Sequence, residues 1–278
     1  MGGAERGRKH WNSIAQCWHL YSSPLRPCGE DLAVFRELVD AHGPAPLDGG
    51  RAALILGVTP EIATMAWPAG TVVTGFDRSP EMIEHVWPGD QPGRRQAICA
   101  NWFDLPRPAK DYDLVFADGS VNTIGFPGDL QRLLAHLTRI VRPGALLVTR
   151  TFTRPFRKEQ IAELEQAARA GRAGSFHAFK FRLAMALQER AEDGVSLHDI
   201  WALWQHLDSE IEGLSARNGW APDVVGTIAL FRDKQVRLTY PSREEFIDTL
   251  QGAELKLLES RMPGYEMGDR CPIMGWRF

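Results

Sequence analysis

"LILGVTPEIATMAWPAGTVVTGFDRSPEM", residues 54–82, sets a run of Leu and Ile against a turn, a helical stretch, a Val-rich run and an acid, Asp77. Two apolar runs of strand length joined through a helix are the unit of a parallel sheet, because parallel strands need a crossover that covers a face. The alternation continues downstream with QAICAN, DYDLVFAD, the helical DLQRLLAHLTRIV and then ALLVTRTF. This pattern predicts an α/β fold built on a doubly wound, mostly parallel sheet.

On either side of these units the pattern changes. Trp11, Ile14, Ala15 and Trp18 stand at helical spacing, SSPLRP interrupts them, and an amphipathic helix is expected from about Asp31 to Ala41. GPAPLDGG, 43–50, reads as the linker into the sheet. After Phe152 the alternation stops, and helical segments are predicted over 158–170, 176–192 and 196–214. Leu197, Ile200, Trp201, Trp204, Leu207 and Ile211 form one apolar stripe there. Ser242 and Glu245 fit a capping box opening the helix SREEFIDTL, and KLLESR with CPIMGWRF suggests a closing β-hairpin. The expected division is an N-terminal helical cap over 1–48, a cofactor-binding core over 49–152, a helical lid insertion over 153–240, and a return to the core over 241–278.

At 278 residues, 44% of them hydrophobic, the chain can bury a substantial core. Its 32 basic and 35 acidic residues lack the cationic excess that phosphate neutralisation requires, so no nucleic-acid partner is expected. The opening residues carry no apolar signal region, and no stretch approaches the roughly 18 apolar residues of a membrane span. A cytoplasmic protein without membrane partners is expected. Cys17, Cys28, Cys99 and Cys271 are scattered with no C-x-x-C pair, which points to buried or free thiols and to no metal site.

Ligands of open parallel sheets sit beyond the carboxyl ends of the strands. The residues there are Gly57 to Glu61 after the first strand, and Asp77 and Arg78 after the second. Asn101, Trp102 and Asp104 follow the third, and Asp118, Gly119 and Ser120 the fourth. Asp77 stands 20 residues after Gly57, the spacing at which a second-strand acid accepts hydrogen bonds from ribose hydroxyls. A dinucleotide would require further glycines beside its pyrophosphate, where Thr59 and Ile62 stand, and Glu61 would face the dianion. NAD therefore fits poorly. S-adenosylmethionine has the same adenosine head, no phosphate and a cationic tail, which Glu61 suits either as a contact or as a first-turn acid. Pro60 is well placed at the first helical position.

In order, LILGVTPE, GFDRSPEM, ANWFDLP, YDLVFADGS and LTRIVRPGALLVT resemble the motif series of class I S-adenosylmethionine-dependent methyltransferases over about 50–152. VRPGALLV is the most specific match. The resemblance implies a Rossmann-like, seven-stranded sheet whose cofactor is S-adenosylmethionine and whose product is S-adenosylhomocysteine. It places Gly57 against the methionine part and Asp77 on the ribose. Met82 or Arg78 would flank adenine, Asn101 and Trp102 would lie at its edge, and Asp118 to Ser120 would floor the site near the methyl group. The sequence departs from the family pattern at the Gly57 turn, which lacks the usual second and third glycines.

The implied reaction moves a methyl group to an oxygen or nitrogen of a small molecule by in-line displacement, which needs alignment and exclusion of water but no dedicated nucleophile. Aromatic residues of the cap and insertion, among them Trp11, Trp18, Phe176, Phe179, Trp204 and Trp220, would wall an acceptor pocket. Tyr21, Phe152 and Trp201 are the candidate substrate contacts. Candidate catalytic residues are Asp118 and, by residue type alone, the bases His19 and His177, with His198 and His206 on the same ground. Arg150, Arg154, Arg157 and Lys158 group beyond the fifth strand, either as a solvated helix start or as a clamp for an acidic acceptor. Two other readings stay open, a catalytically silent cofactor-binding module and an aminopropyl-type transferase. The oligomeric state is open too, a homodimer included.

Overall fold

The computed structural model describes residues 11–46, 50–105 and 112–278. The first ten residues, 47–49 of the expected linker, Asp111 of the expected fourth strand and Pro106 of ANWFDLP lie outside them. Five strands form the parallel part of the sheet: β1 (Arg51–Leu56), β2 (Thr71–Asp77), β3 (Arg95–Cys99), β4 (Tyr112–Asp118) and β5 (Val141–Arg150). A two-stranded ribbon, β6 (Val195–Ser196) with β7 (Arg237–Leu238), pairs apart from it. The antiparallel β8 (Lys256–Arg261) and β9 (Ile273–Arg277) complete a seven-stranded sheet of order β3-β2-β1-β4-β5-β9-β8.

Strand β1 shows why the run LIL settles as a central strand. Ala53, Leu54, Ile55 and Leu56 are at most 2% exposed, and alternate residues feed two different cores. On one side Ala53 and Ile55 meet Phe35, Leu38 and Val39 of the helix Gly29–His42. Across the sheet, Leu54 and Leu56 share a core with the leucine face of Gly128–Ile140 and with Phe246 and Leu250 of Arg243–Gly252. The last helix opens with the expected capping box, Ser242 accepting from the Glu245 amide and Glu245 from the Ser242 amide. Chain order reverses between β1 and β4, so a crevice opens at the carboxyl ends of these strands.

The insertion builds a third core of its own. Phe176 and Phe179 of the helix Phe176–Leu187 pack with Trp204 of Leu197–Glu210 and with Trp220, ring centroids lying 4.9 Å apart for Phe176–Trp204 and 5.2 Å for Phe179–Trp220. These four rings, expected as acceptor walls, are instead the packing that holds the insertion together. The first insertion helix runs over Ile161–Arg169 and the second stops at Leu187, short of the predicted 192. It stops because the Gln188 side chain leaves the helix to bond the Tyr240 backbone at both N and O, at 2.9 and 2.7 Å. The β6–β7 ribbon, which the sequence pattern did not indicate, follows soon after.

Two further expectations change. EIATMAW yields one helical turn, Pro60–Ala63, after which Trp67 donates its ring N–H to the Ile62 carbonyl at 2.9 Å. The basic group at the end of β5 divides: Arg157 is solvated at the helix start, as one expectation had it, while Arg150 is drawn into the protein. Arg150 is fully buried, while Arg154, Arg157 and Lys158 pair with Glu245, Glu163 and Glu189. Among the described residues no helix is long and apolar enough to cross a membrane.

Candidate functional site

The ends of β1, β2 and β4 open into one cavity of about 210 Å³ that extends beneath the insertion. On its β1 side lies Gly57, at φ 111°, with no atom within 4 Å of where a Cβ would stand. The position requires glycine for its backbone, and it leaves open space for a ligand. The Gly57 amide donates to the Phe76 carbonyl at 2.8 Å, Thr59 takes the N-cap position, and Pro60 starts the helical turn. One glycine is thus enough for this bend.

Asp77, at the tip of β2, lines the cavity and accepts from the Ser79 amide at 2.9 Å. Ser79 itself caps the following helix by accepting from the Met82 amide, so Asp77 is not the cap. Burial lifts the Asp77 carboxyl to about 6, against the pull of the Ser79 amide and Arg78. A carboxylate so placed gains from added hydroxyl donors. Arg78, Met82, Asn101 and Trp102 line the same side, and the Trp102 ring N–H is fixed to the Phe76 carbonyl at 2.7 Å.

The floor comes from Asp118, Gly119 and Ser120 at the end of β4. Gly119 adopts φ 63°, and a Cβ there would stand 2.9 Å from the Phe152 ring, so both backbone and packing demand glycine. Asp118 is not available as a base, because its Oδ1 accepts from Arg150 Nε at 2.5 Å inside the protein. Burial pushes its carboxyl above the ordinary value while Arg150 opposes the shift. Arg150 also donates to the Pro24 and Leu25 carbonyls and lies 3.6 Å from Asp31, whose Oδ1 accepts from the Tyr265 hydroxyl. One guanidinium therefore faces two carboxylates under the floor. The Ser120 hydroxyl, also buried, has no partner.

The remaining walls are aromatic and apolar. Trp11, Trp18 and Tyr21 approach from the N-terminal segment, Phe152 from beyond β5, and Phe181, Tyr240 and Leu238 from the insertion and its exit. His177 lines the cavity with its ring stacked on Tyr21, centroids 5.2 Å apart. Its Nε2 lies 2.9 Å from the Leu20 carbonyl, which assigns the proton to that nitrogen and leaves the buried Nδ1 without a partner. Burial, then the nearby Lys180 ammonium, hold the ring neutral with a pKa near 4.

Several expected site residues lie elsewhere. Glu61 is turned away and paired with Arg26, because that guanidinium crosses the helical turn from the N-terminal segment. His19 is exposed on the turn Trp18–Leu20 and does not line the cavity. Trp201 does not line the cavity but packs half-buried against the insertion core, tilted against His198 and covered by Arg232. His198 accepts from the Asp233 amide, and His206 is exposed. Sequence reasoning missed Lys180, which is 6% exposed and lines the cavity one helical turn after His177. A lysine inside the otherwise apolar FHAFKF was the available signal.

The family described as methyltransferase domain matches residues 55–149, from the end of β1 almost to the end of β5. This segment is thus similar to a methyltransferase domain. Solved structures share the methyltransferase's fold across most of the chain. An S-adenosylmethionine-dependent methyltransferase of Methanosarcina mazei is 13% identical, with a TM-score of 0.50 over 86% of this chain and 96% of that one. The 1,6-didemethyltoxoflavin-N1-methyltransferase of Burkholderia thailandensis, solved with 1,6-didemethyltoxoflavin and S-adenosylhomocysteine, is 14% identical, with a TM-score of 0.54 over 99% and 88%. A Rhodobacter sphaeroides protein provisionally named a Zn-dependent alcohol dehydrogenase reaches 0.60 at 13% identity over 98% of each chain. No curated protein matches. Among the described residues of the methyltransferase, no three His, Cys, Asp or Glu side chains group to hold a metal ion.

The cavity suits S-adenosylmethionine on structural grounds. Asp77 offers a half-buried carboxylate to two hydroxyls, the Gly57 bend leaves room without a phosphate cradle, and the floor holds more carboxylate than guanidinium beneath a cationic tail.

Proposed function

We propose that this methyltransferase transfers the methyl group of S-adenosylmethionine to an oxygen or nitrogen of a small molecule, in the cytoplasm. One observation carries the reading: a single cavity runs from Gly57 and Asp77 to an aromatic wall of Tyr21, Phe152 and Phe181. A partly open cavity of this size, covered on one side by an insertion, suits a small acceptor rather than a polymer. The Burkholderia protein binds a small heteroaromatic acceptor on the same fold. Four free cysteines suit a reducing compartment.

When bound, the cofactor supplies a methyl group on a sulfonium, already activated for displacement. The protein's residues supply position. Asp77 holds the ribose, and Gly57 lets the tail pass close to the backbone. Asp118, locked by Arg150, would fix the floor of the cofactor site. Phe152 and Phe181, with centroids 4.4 Å apart, exclude water from the reacting atoms. His177, held neutral by burial and by Lys180, offers its unpartnered Nδ1 as a hydrogen-bond acceptor beside the acceptor pocket. The 153–240 insertion acts as the lid that selects the acceptor.

The test is incubation with S-adenosylmethionine and a broad panel of small hydroxyl, amine and carboxylate compounds, with mass spectrometry of both products. The expected outcome is S-adenosylhomocysteine formed in step with one methylated small molecule. Tight cofactor binding with no methylated compound anywhere in the panel would sink the proposal.

A further inference from the structure

We propose that the methyl acceptor is a small organic acid whose oxyanion pairs with Lys180 and the Tyr21 hydroxyl. The inference rests on the small-molecule reading above and names the chemical class of acceptor. Lys180 is buried, lines the acceptor side of the cavity and forms no ion pair among the described residues. Its Nζ donates to Thr227 Oγ1 at 3.1 Å, and the Thr227 hydroxyl in turn donates to the Val224 carbonyl, so the threonine is fixed as an acceptor. An ammonium has three N–H donors, and this contact uses one.

The rings of Tyr21, Phe176 and Phe231 surround Nζ at 5.1, 5.2 and 5.4 Å from their centroids. Aromatic faces stabilise a cation, yet they do not replace the counter-ion that a dry site demands. Burial alone pulls the Lys180 pKa to about 7, since no carboxylate compensates it. The Tyr21 hydroxyl is a second unused donor. Thr227 lies close enough to oppose the shift slightly, yet no contact of hydrogen-bond geometry satisfies the hydroxyl, and burial keeps it protonated well above the ordinary tyrosine range.

Two donor groups, one of them an amine with protons left over after its bond to Thr227, thus flank that threonine in the cavity. The other titratable groups facing them are the Cys17 thiol beside Tyr21 and His177 on the helix of Lys180, whose ring stays neutral and offers no negative charge. An acidic oxygen group is the ligand that satisfies both at once. A cationic or polyamine acceptor would instead meet the ammonium, which disfavours the aminopropyl alternative.

The experiment uses the full chain saturated with S-adenosylhomocysteine and titrates it calorimetrically with small aromatic and aliphatic carboxylic acids, each paired with its uncharged amide. At least one acid is expected to bind tighter than its amide by about tenfold or more, as a hydrogen-bonded charge contributes. At about pH 8 its binding takes up close to one proton, because Lys180 is mostly neutral before the anion arrives and charged afterwards. Lys180→Met is expected to abolish both the preference and the proton uptake while S-adenosylhomocysteine affinity stays unchanged, which also shows that the variant folds. Equal or absent binding of acids and amides, or a preference that survives in Lys180→Met, overturns this inference and leaves methyl transfer itself untouched. Failure of the chain to bind S-adenosylhomocysteine would overturn the functional reading as well.

Discussion

Asp77 is the residue whose role is read most directly from spacing, and its environment makes that role testable. Its carboxyl titrates near 6, and hydroxyl donors of a ribose favour the ionised form. Cofactor affinity should therefore be full above that pH and fall as pH drops through it, whereas Asp77→Asn should be weaker at neutral pH and flat across this range. Asp77→Ala is expected to weaken binding by about 1 to 3 kcal/mol. Calorimetry with S-adenosylhomocysteine between about pH 5 and 8 measures both, and a pH-independent affinity in the parent would remove Asp77 from the site. Gly57, Asn101 and Trp102 were similarly legible, because strand ends place them. Glu61 and Lys180 were not, since their partners, Arg26 in one case and three rings in the other, come from distant segments.

Elements are joined here by buried charge as much as by apolar packing. Arg150 at the end of β5 holds β4 through Asp118, the N-terminal segment through the Pro24 and Leu25 carbonyls, and the helix Gly29–His42 through Asp31. Arg150→Met should destabilise the chain by about 3 to 5 kcal/mol, because it strands two carboxylates away from water. Urea unfolding measures this, and adding Asp118→Leu should recover part of the loss; a cost below about 1 kcal/mol would mean the cluster is not holding these elements. The strands were legible as short Val, Ile and Leu runs. Helix ends in the insertion were not, because Gln188 ends one helix by a contact with Tyr240 that periodicity does not report.

For the whole molecule, the cavity is bounded by the sheet, the N-terminal segment and the insertion together, so a bound cofactor should stabilise all three. S-adenosylhomocysteine at about 100 times its Kd should add about 2.7 kcal/mol to unfolding free energy, seen as a rise in Tm of several degrees. Hydrogen exchange should slow in 18–26 and 176–187 as well as around Gly57 and Asp77; protection confined to the sheet would argue against the lid. The sequence by itself determined the doubly wound sheet and its cofactor side. Strand period, crossover helices and the acid 20 residues after Gly57 are local signals, and the topology of a parallel sheet turns them into one crevice. Only the tertiary structure decided which basic and aromatic residues reach that crevice, since Arg150 and Lys180 are alike in a sequence window. Burial separates them, giving Arg150 two carboxylates under the floor and leaving Lys180 with none.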